Sequence, residues 1–263
     1  MATARVGDLS LAYDDLGGGP QTLLLMPGWC ESRTVYAPFA RLARQHFRVL
    51  RFDWRAHGES TNPQEDFGAA ELLDDALAVL DSAGAGRVTV LAIAHASWVA
   101  VELCRRHPAR VGGLVFMDWV FTDPAAEFAR AVAAFSDPAE WEQARAGLFD
   151  LWLAGTDDPV MVDHIRGDLA RLGFDMWRRA GREILAAYQA HGSPIRMLAA
   201  DPPGVPSAHI YALNRDDAYL TAQQEFASQQ PWFSVHRLGS RTHLPVLEVP
   251  DEVLRVVRSL PLA

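Results

Sequence analysis

The chain predicts an α/β fold, with a mostly parallel central sheet, helices on both faces and an inserted helical cap. Three observations carry this. Short apolar runs rich in leucine and β-branched residues alternate with amphipathic segments of helical spacing. One of these runs, Val88–Ile93, passes through small residues straight into the helix-like segment Val99–Cys104. From about Phe121 to Leu198 the alternation stops and helical spacing takes over, dense in aromatics such as Phe128, Trp141, Trp152 and Trp177. The expected division is a core of residues 1–119 and 199–263 and a cap of 120–198.

The elements follow in order. Leu9–Asp14 alternates apolar and polar residues, as an edge strand does, and Gly17–Pro20 turns the chain. Thr22–Met26 is a buried strand ending at the loop Pro27–Cys30. Tyr36–Gln45 carries Phe39 and Leu42 on one helical face. Phe47–Asp53 is the next strand, and Arg55–Ser60 is a polar turn. Glu71–Ala83 places Leu72, Leu73, Ala76, Leu77 and Leu80 on one stripe, and glycines at 84 and 86 stop it. After the Val88 strand and its helix come the strand Gly113–Asp118, the cap, the strand Ala208–Leu213, a helix over Leu220–Ser228, the strand Trp232–Leu238 and a closing helix Glu252–Leu260. In such sheets ligands gather beyond the carboxyl ends of the strands. That rim would unite Pro27–Cys30, Arg55–Ser60, Ala94–Trp98, Asp118-Trp119 and Arg241–Leu244.

Composition narrows the function. The chain has 263 residues, of which 49% are hydrophobic and 22% charged, ordinary values for a globular chain able to bury a continuous core. A formal charge of −9 opposes a general grip on nucleic acid, which needs basic patches. No apolar run approaches the ~20 residues that span a bilayer, so no membrane partner is expected. Two cysteines, Cys30 and Cys104, cannot build a disulfide framework and fit the cytoplasm. The N-terminal residues lack the apolar centre of a signal peptide. No metal-binding spacing occurs, so a metal site has no support in the sequence.

The junction after Val88–Ile93 has the layout of the nucleophile elbow of the α/β-hydrolase fold, G-x-S-x-G. The matching residues are Ala92-Ile93-Ala94-His95-Ala96. The flanks are small, as the turn requires, but the central residue is Ala94, whose methyl group cannot attack a carbonyl. His243 follows the last strand, where this scaffold carries its histidine, and is the candidate base. Two acids precede it in the expected order. Asp118 follows the strand Leu114–Met117, and Asp216 or Asp217 follows Ile210–Leu213; sequence mechanics leave the choice open. The backbone amides of Trp29 and His95 occupy the oxyanion positions, and need no side chain to stabilise negative charge. His57 reads as a structural brace. Ser97 sits past the turn and Cys30 lacks an evident base, yet an ester or amide hydrolase would have to use one of them. Trp152 is the cap residue best suited to wall a flat apolar ligand. A non-catalytic protein holding an aromatic ligand is a third possibility.

The residues resemble something narrower than the scaffold. Leu23–Cys30 with its Pro27-Gly-Trp-Cys30, Trp54–Gly58, Ser97–Leu103, Met117-Asp-Trp119, Gly147–Leu153, Trp177–Arg182, Gln230–Ser234 and Thr242–Pro245 are similar to the cofactor-independent 3-hydroxy-4(1H)-quinolone 2,4-dioxygenases over nearly the whole chain. That resemblance implies a ring-cleaving enzyme that takes a 2-alkyl-3-hydroxy-4(1H)-quinolone and O2 and releases carbon monoxide and an N-acylanthranilate. It implies His243 as base, Asp118 as its acid, the amides of Trp29 and His95 as the anion site, and Trp152 beside the ligand. The chain departs from the family at the elbow, where His-Ser-His becomes Ile93-Ala94-His95, and after Pro-Gly-Trp-Cys, where Glu31 replaces a histidine. The family's serine contacts substrate without attacking it, so its loss weakens a hydrolase reading far more than a dioxygenase one.

Overall fold

The apolar runs become the strands of one sheet in the computed structural model, which describes residues 1–261. The strands are β1 (Ala2–Val6), β2 (Leu9–Asp15), β3 (Thr22–Met26), β4 (Arg48–Phe52), β5 (Val88–Ile93), β6 (Val111–Met117), β7 (Ser207–Tyr211) and β8 (Phe233–Arg237). Among the described residues they form a single sheet in the order β1-β2-β4-β3-β5-β6-β7-β8. β1 and β2 pair antiparallel, as do β2 and β4, and the remaining pairs are parallel. The central strands are buried along nearly their full length, Leu23–Met26 and Val90–Ile93 completely, as a parallel sheet covered on both faces requires. Ala37–Ala43 packs with Pro250–Ser259, and Ala69–Ser82 with Ala96–Arg106.

The expected strands are present. β1 was not anticipated: Ala2–Val6 is short and rich in small residues, and it becomes a strand by pairing along β2. The insertion between β6 and β7 is helical from Ala126 onward, with Ala126–Ala134, Trp141–Leu153, Pro159–Val162, Phe174–His191 and Pro194–Ala200 as its α-helices. Residues 119–125 are not helical. Phe121, expected in the insertion's helical run, stacks on His209 of β7 at 4.7 Å and on Phe233 of β8 at 5.1 Å, so it packs with the sheet. No helix among the described residues is long and apolar enough to cross a membrane.

Register brings the strand ends together. Met26 pairs with Ala92, Ile93 with Met117, and Met117 with Ile210. The residues that follow therefore share one rim. Buried charge fixes the loops beside it. Asp53, fully buried, accepts from the Arg33 backbone N–H at 2.6 Å and the Glu59 N–H at 2.9 Å, and pairs with the Arg33 guanidinium. Arg55 pairs with the fully buried Asp75 at 2.6 Å.

Gly58 (φ +50°) belongs to the Asp53 arrangement: a Cβ there would stand 2.2 Å from an Asp53 carboxylate oxygen. Gly84 has a similar φ, +57°, but open space around it. Gly84→Ala is therefore expected to destabilise by on the order of 1 kcal/mol, the cost of left-handed backbone alone. Gly58→Ala should lose roughly 3 kcal/mol, because the buried carboxylate must also shift. Denaturant midpoints of the two variants test the difference.

Candidate active site

Ala94 lies in the left-handed region at φ 47°, the sharp turn that the small flanking residues anticipate. Its N–H donates to Met117 O at 2.7 Å, tying the end of β5 to the end of β6. The helix Ala96–Arg106 begins immediately beyond. Ser97 is fully buried and its hydroxyl turns back to Ala92 O at 3.4 Å, so it faces the strand.

The loop after β3 is pinned at nearly every residue. The Tyr36 hydroxyl donates to Met26 O at 2.8 Å and the Trp54 indole to Pro27 O at 2.7 Å. Gly28 N–H donates to Glu31 Oε2 at 3.1 Å, and Cys30 N–H to His57 Nε2 at 3.1 Å. The Trp29 N–H has no such partner, nor has the His95 N–H, among the described residues. These are the two amides the sequence singled out, left free while their neighbours are used. The Trp29 indole stacks on Phe67 at 6.0 Å.

His57 braces this loop. Its Nε2 accepts from Cys30, which leaves Nδ1–H to donate to Arg55 O at 2.8 Å. The Cys30 thiol is buried, and burial pushes its pKa far up, away from the thiolate a nucleophile needs. Burial likewise raises Cys104 to about 11.

His243 sits in the loop after β8. That loop is held by Glu248, whose Oε2 accepts from Ser240 Oγ at 2.8 Å, Arg241 N–H at 2.8 Å and Thr242 N–H at 3.1 Å. The imidazole itself is half-buried and lies flat on Trp152, with centroids 4.6 Å apart and planes 8° apart. Burial pushes it down to about 4, with the Glu31 carboxylate opposing the drop. His95 lies between Phe128 and Tyr188 at 6.1 and 5.8 Å. Burial and then the charge of His243 lower it to about 3.

Asp118, at φ 46°, stands at the end of β6. Its Oδ1 accepts from the Ala212 N–H at 3.0 Å, while its buried Oδ2 has no partner. Burial raises its pKa to about 7, against the pull of the Ala212 and Leu213 amides and the Arg215 charge. No hydrogen bond or ion pair joins Asp118 to His243 among the described residues; the imidazole is turned to Trp152 instead. The other candidate acids are engaged elsewhere. Asp216 caps the helix Asp217–Gln229 through the Ala218 N–H at 2.9 Å, and Asp217 pairs with Arg237 at 3.0 Å.

Glu31 and His164 were not identified from sequence as site residues. Both are buried, and Glu31 Oε1 lies 4.0 Å from His164 Nε2. The signal available was His164 with Asp168 four residues on, inside the aromatic insertion. Among the described residues no group of three His, Cys, Asp or Glu side chains is arranged to hold a metal ion.

Residues 21–186 match the family model described as alpha/beta hydrolase fold. The 2-heptyl-3-hydroxy-4(1H)-quinolone dioxygenase of Mycobacteroides abscessus is 35% identical over 255 residues, covering 96% of this chain and 95% of that protein. The chain belongs to the 3-hydroxy-4(1H)-quinolone 2,4-dioxygenases of the α/β-hydrolase fold. A second member, the 1H-3-hydroxy-4-oxoquinoline 2,4-dioxygenase of Pseudomonas putida, is 30% identical over 98% of both chains. A solved structure of an AqdC variant in complex with its substrate, concerned with ring cleavage of the Pseudomonas quinolone signal, superposes with a TM-score of 0.92 at 33% identity over 97% of both chains. The expected α/β-hydrolase fold is present.

His57 makes stability depend on pH. It must be neutral to accept the Cys30 N–H, and burial lowers it from 6.5 to about 4. Between those values the unfolded chain binds a proton that the folded one refuses, so stability falls as pH drops through that window. His57 alone contributes a loss on the order of 3 kcal/mol. Asp118, raised from 3.8 to about 7, acts oppositely, stabilising the fold as pH falls below 7. Unfolding midpoints from pH 7 to 4 should decline less steeply in His57→Gln than in the unmodified protein.

Proposed function

We propose that this protein opens the heterocyclic ring of a 2-alkyl-3-hydroxy-4(1H)-quinolone with O2, releasing carbon monoxide and an N-acylanthranilate, with no resident cofactor. The observation that carries this is an intact pair of free amides, at Trp29 and His95, beside an elbow whose nucleophile position is Ala94. Such a site can hold an oxyanion but cannot form an acyl-enzyme. Full-length similarity to quinolone dioxygenases supplies the substrate class and the oxygen chemistry. Removal of a quinolone signal follows as the biological effect. The two cysteines are free and buried, consistent with action in the cytoplasm.

In this reading neutral His243 takes the proton of the substrate 3-hydroxyl. The open Oδ2 of Asp118 receives the imidazole N–H once the ring turns from Trp152, and this pairing raises a basicity that burial alone depresses. The anion lies with an oxygen on the amides of Trp29 and His95, and Trp152 covers its ring. The electron-rich anion gives one electron to O2, and the two radicals recombine as a peroxide at C2. The peroxide closes onto C4, and the endoperoxide breaks to expel C3 as carbon monoxide, leaving an amide at C2 and a carboxylate at C4. Both atoms of O2 enter the organic product.

The hydrolase alternative needs Ser97, which faces the Ala92 carbonyl, or Cys30, whose thiol is buried and not activated. Neither arrangement favours it.

Incubation of the chelator-treated protein with a 2-alkyl-3-hydroxy-4(1H)-quinolone should consume O2 and release carbon monoxide, whereas a chromogenic ester should be left intact. His243→Ala should slow quinolone turnover by roughly a hundredfold or more, and Asp118→Asn by less, since it removes the orienter and leaves the base. Oxygen uptake by His243→Ala at the unmodified rate would overturn the assignment.

A further inference from the structure

The reaction leaves a proton behind. A neutral hydroxyquinolone and O2 give carbon monoxide and an aryl carboxylic acid, which is ionised at neutral pH. The proton taken from the 3-hydroxyl must therefore leave His243 in every turnover. With the ring turned to Asp118 and the ligand over Trp152, the proton must leave on another side of the imidazole. Glu31 follows Cys30 in the loop that carries the Trp29 amide, and no hydrogen bond or ion pair joins it to His243 among the described residues. Glu31 is 3% exposed, yet it carries a carboxylate whose charge acts on His243. One oxygen is held by the Gly28 N–H at 3.1 Å, and the other points at His164 Nε2, 4.0 Å away. His164 is 7% exposed and its Nε2 has no hydrogen-bond partner. Its Nδ1 lies 3.6 Å from Asp168 Oδ2, and Asp168 is 48% exposed. His164 and Asp168 both lie in the wide π-type turn Asp163–Asp168, a distortion of helical backbone that recurs at functional positions.

We infer that Glu31, His164 and Asp168 form a proton relay that carries the substrate-derived proton from His243 through the cap to solvent. The relay rests on the quinolone reading above. A carboxylate, an imidazole and a second carboxylate alternate along it, and each can take up a proton on one side and release it on the other. Separations of 3.6 and 4.0 Å exceed a direct hydrogen bond, and the step from His243 to Glu31, which no hydrogen bond or ion pair spans, is longer still. A single bridging water or a modest side-chain rotation closes the two measured gaps, and the proposal requires water between His243 and Glu31. An imidazole presents two nitrogens on opposite edges, so His164 can accept from Glu31 at Nε2 and donate to Asp168 at Nδ1, a ring flip then restoring the starting tautomer for the next turnover. No bond other than O–H and N–H is made or broken, and no oxidant is consumed. A merely structural Glu31 would hold the Gly28 N–H with one oxygen and need no imidazole opposite the other.

The test follows proton release with an indicator dye, in dilute buffer, alongside carbon monoxide release. In the unmodified protein the two should keep pace. Glu31→Gln preserves an acceptor for Gly28 but carries no proton, and His164→Phe preserves the ring's bulk. Both should lower kcat roughly tenfold in dilute buffer, a modest share of the usual effect of an acid–base group, while KM stays unchanged. Imidazole buffer should restore most of the loss. Asp168→Asn, at the exposed end, should move the same way by a smaller factor. Variants that match the unmodified rate in dilute buffer would overturn the relay, as would variants equally slow at every buffer concentration. If the unmodified protein neither ionises the quinolone nor releases carbon monoxide, the quinolone reading itself falls and the relay with it.

Discussion

One backbone turn holds the site in register. At the end of β5 the chain must change from strand to helix within a few residues, and it does so with Ala94 in a left-handed conformation. A residue with a Cβ resists this by about 1–2 kcal/mol, so the surroundings must enforce it. They do so through the Ala94 N–H on Met117 O and through the fully buried strands on either side. The turn exposes the His95 amide at the start of a helix, where unpaired N–H groups and the helix dipole both favour an anion. Cys30 and Asp118 are left-handed as well, each at a neighbouring strand end. Strain gathered in this way at one rim, and braced by Tyr36, Trp54 and His57, is the pattern of a preorganised site.

Much of this arrangement was legible in the residues because the physics behind it is local. Central strands read as unbroken apolar runs since both of their faces are covered. The elbow could be read from the small residues on either side of Ala94. What depended on distant partners was harder. β1 has little intrinsic strand character and exists through its pairing with β2. Asp118 and Asp216 are equivalent as residue types near strand ends. Their difference emerges in three dimensions, where Asp216 spends its oxygen on the Ala218 N–H and Asp118 keeps one oxygen open. The Glu31–His164 approach joins a core loop to the cap and leaves no periodic trace.

The cap acts on the core through a few specific contacts. Trp152 meets His243 face to face, and Arg179 lies 4.1 Å over the Phe67 ring, which in turn stacks on Trp29. Arg179 and Arg182 also pair with Asp66. The helix Phe174–His191 is thereby linked to the loop that carries the Trp29 amide, and the helix Trp141–Leu153 to the loop that carries His243. Each half of the proposed site is thus braced by a different helix of the insertion, which explains why the insertion shares the family's sequence features and is more than a lid of arbitrary composition.

The position of His243 on Trp152 bears directly on how it would act as the proposed base. Burial leaves Asp118 raised to about 7 and His243 lowered to about 4, so apart each resists its charged form. An imidazolium beside a carboxylate reverses that preference, because each charge now compensates the other. An aromatic stack of this kind is worth about 0.5–1.5 kcal/mol, whereas a hydrogen bond to a charged carboxylate contributes about 1.5–3 kcal/mol. In the proposed mechanism the pairing would outweigh the stack once a proton arrives, and the stack would hold the neutral ring before that without trapping it. These magnitudes would there let the proton drawn from the substrate itself turn the ring towards Asp118. Basicity then rises as the transfer proceeds and need not be maintained beforehand at the expense of a permanently buried charge.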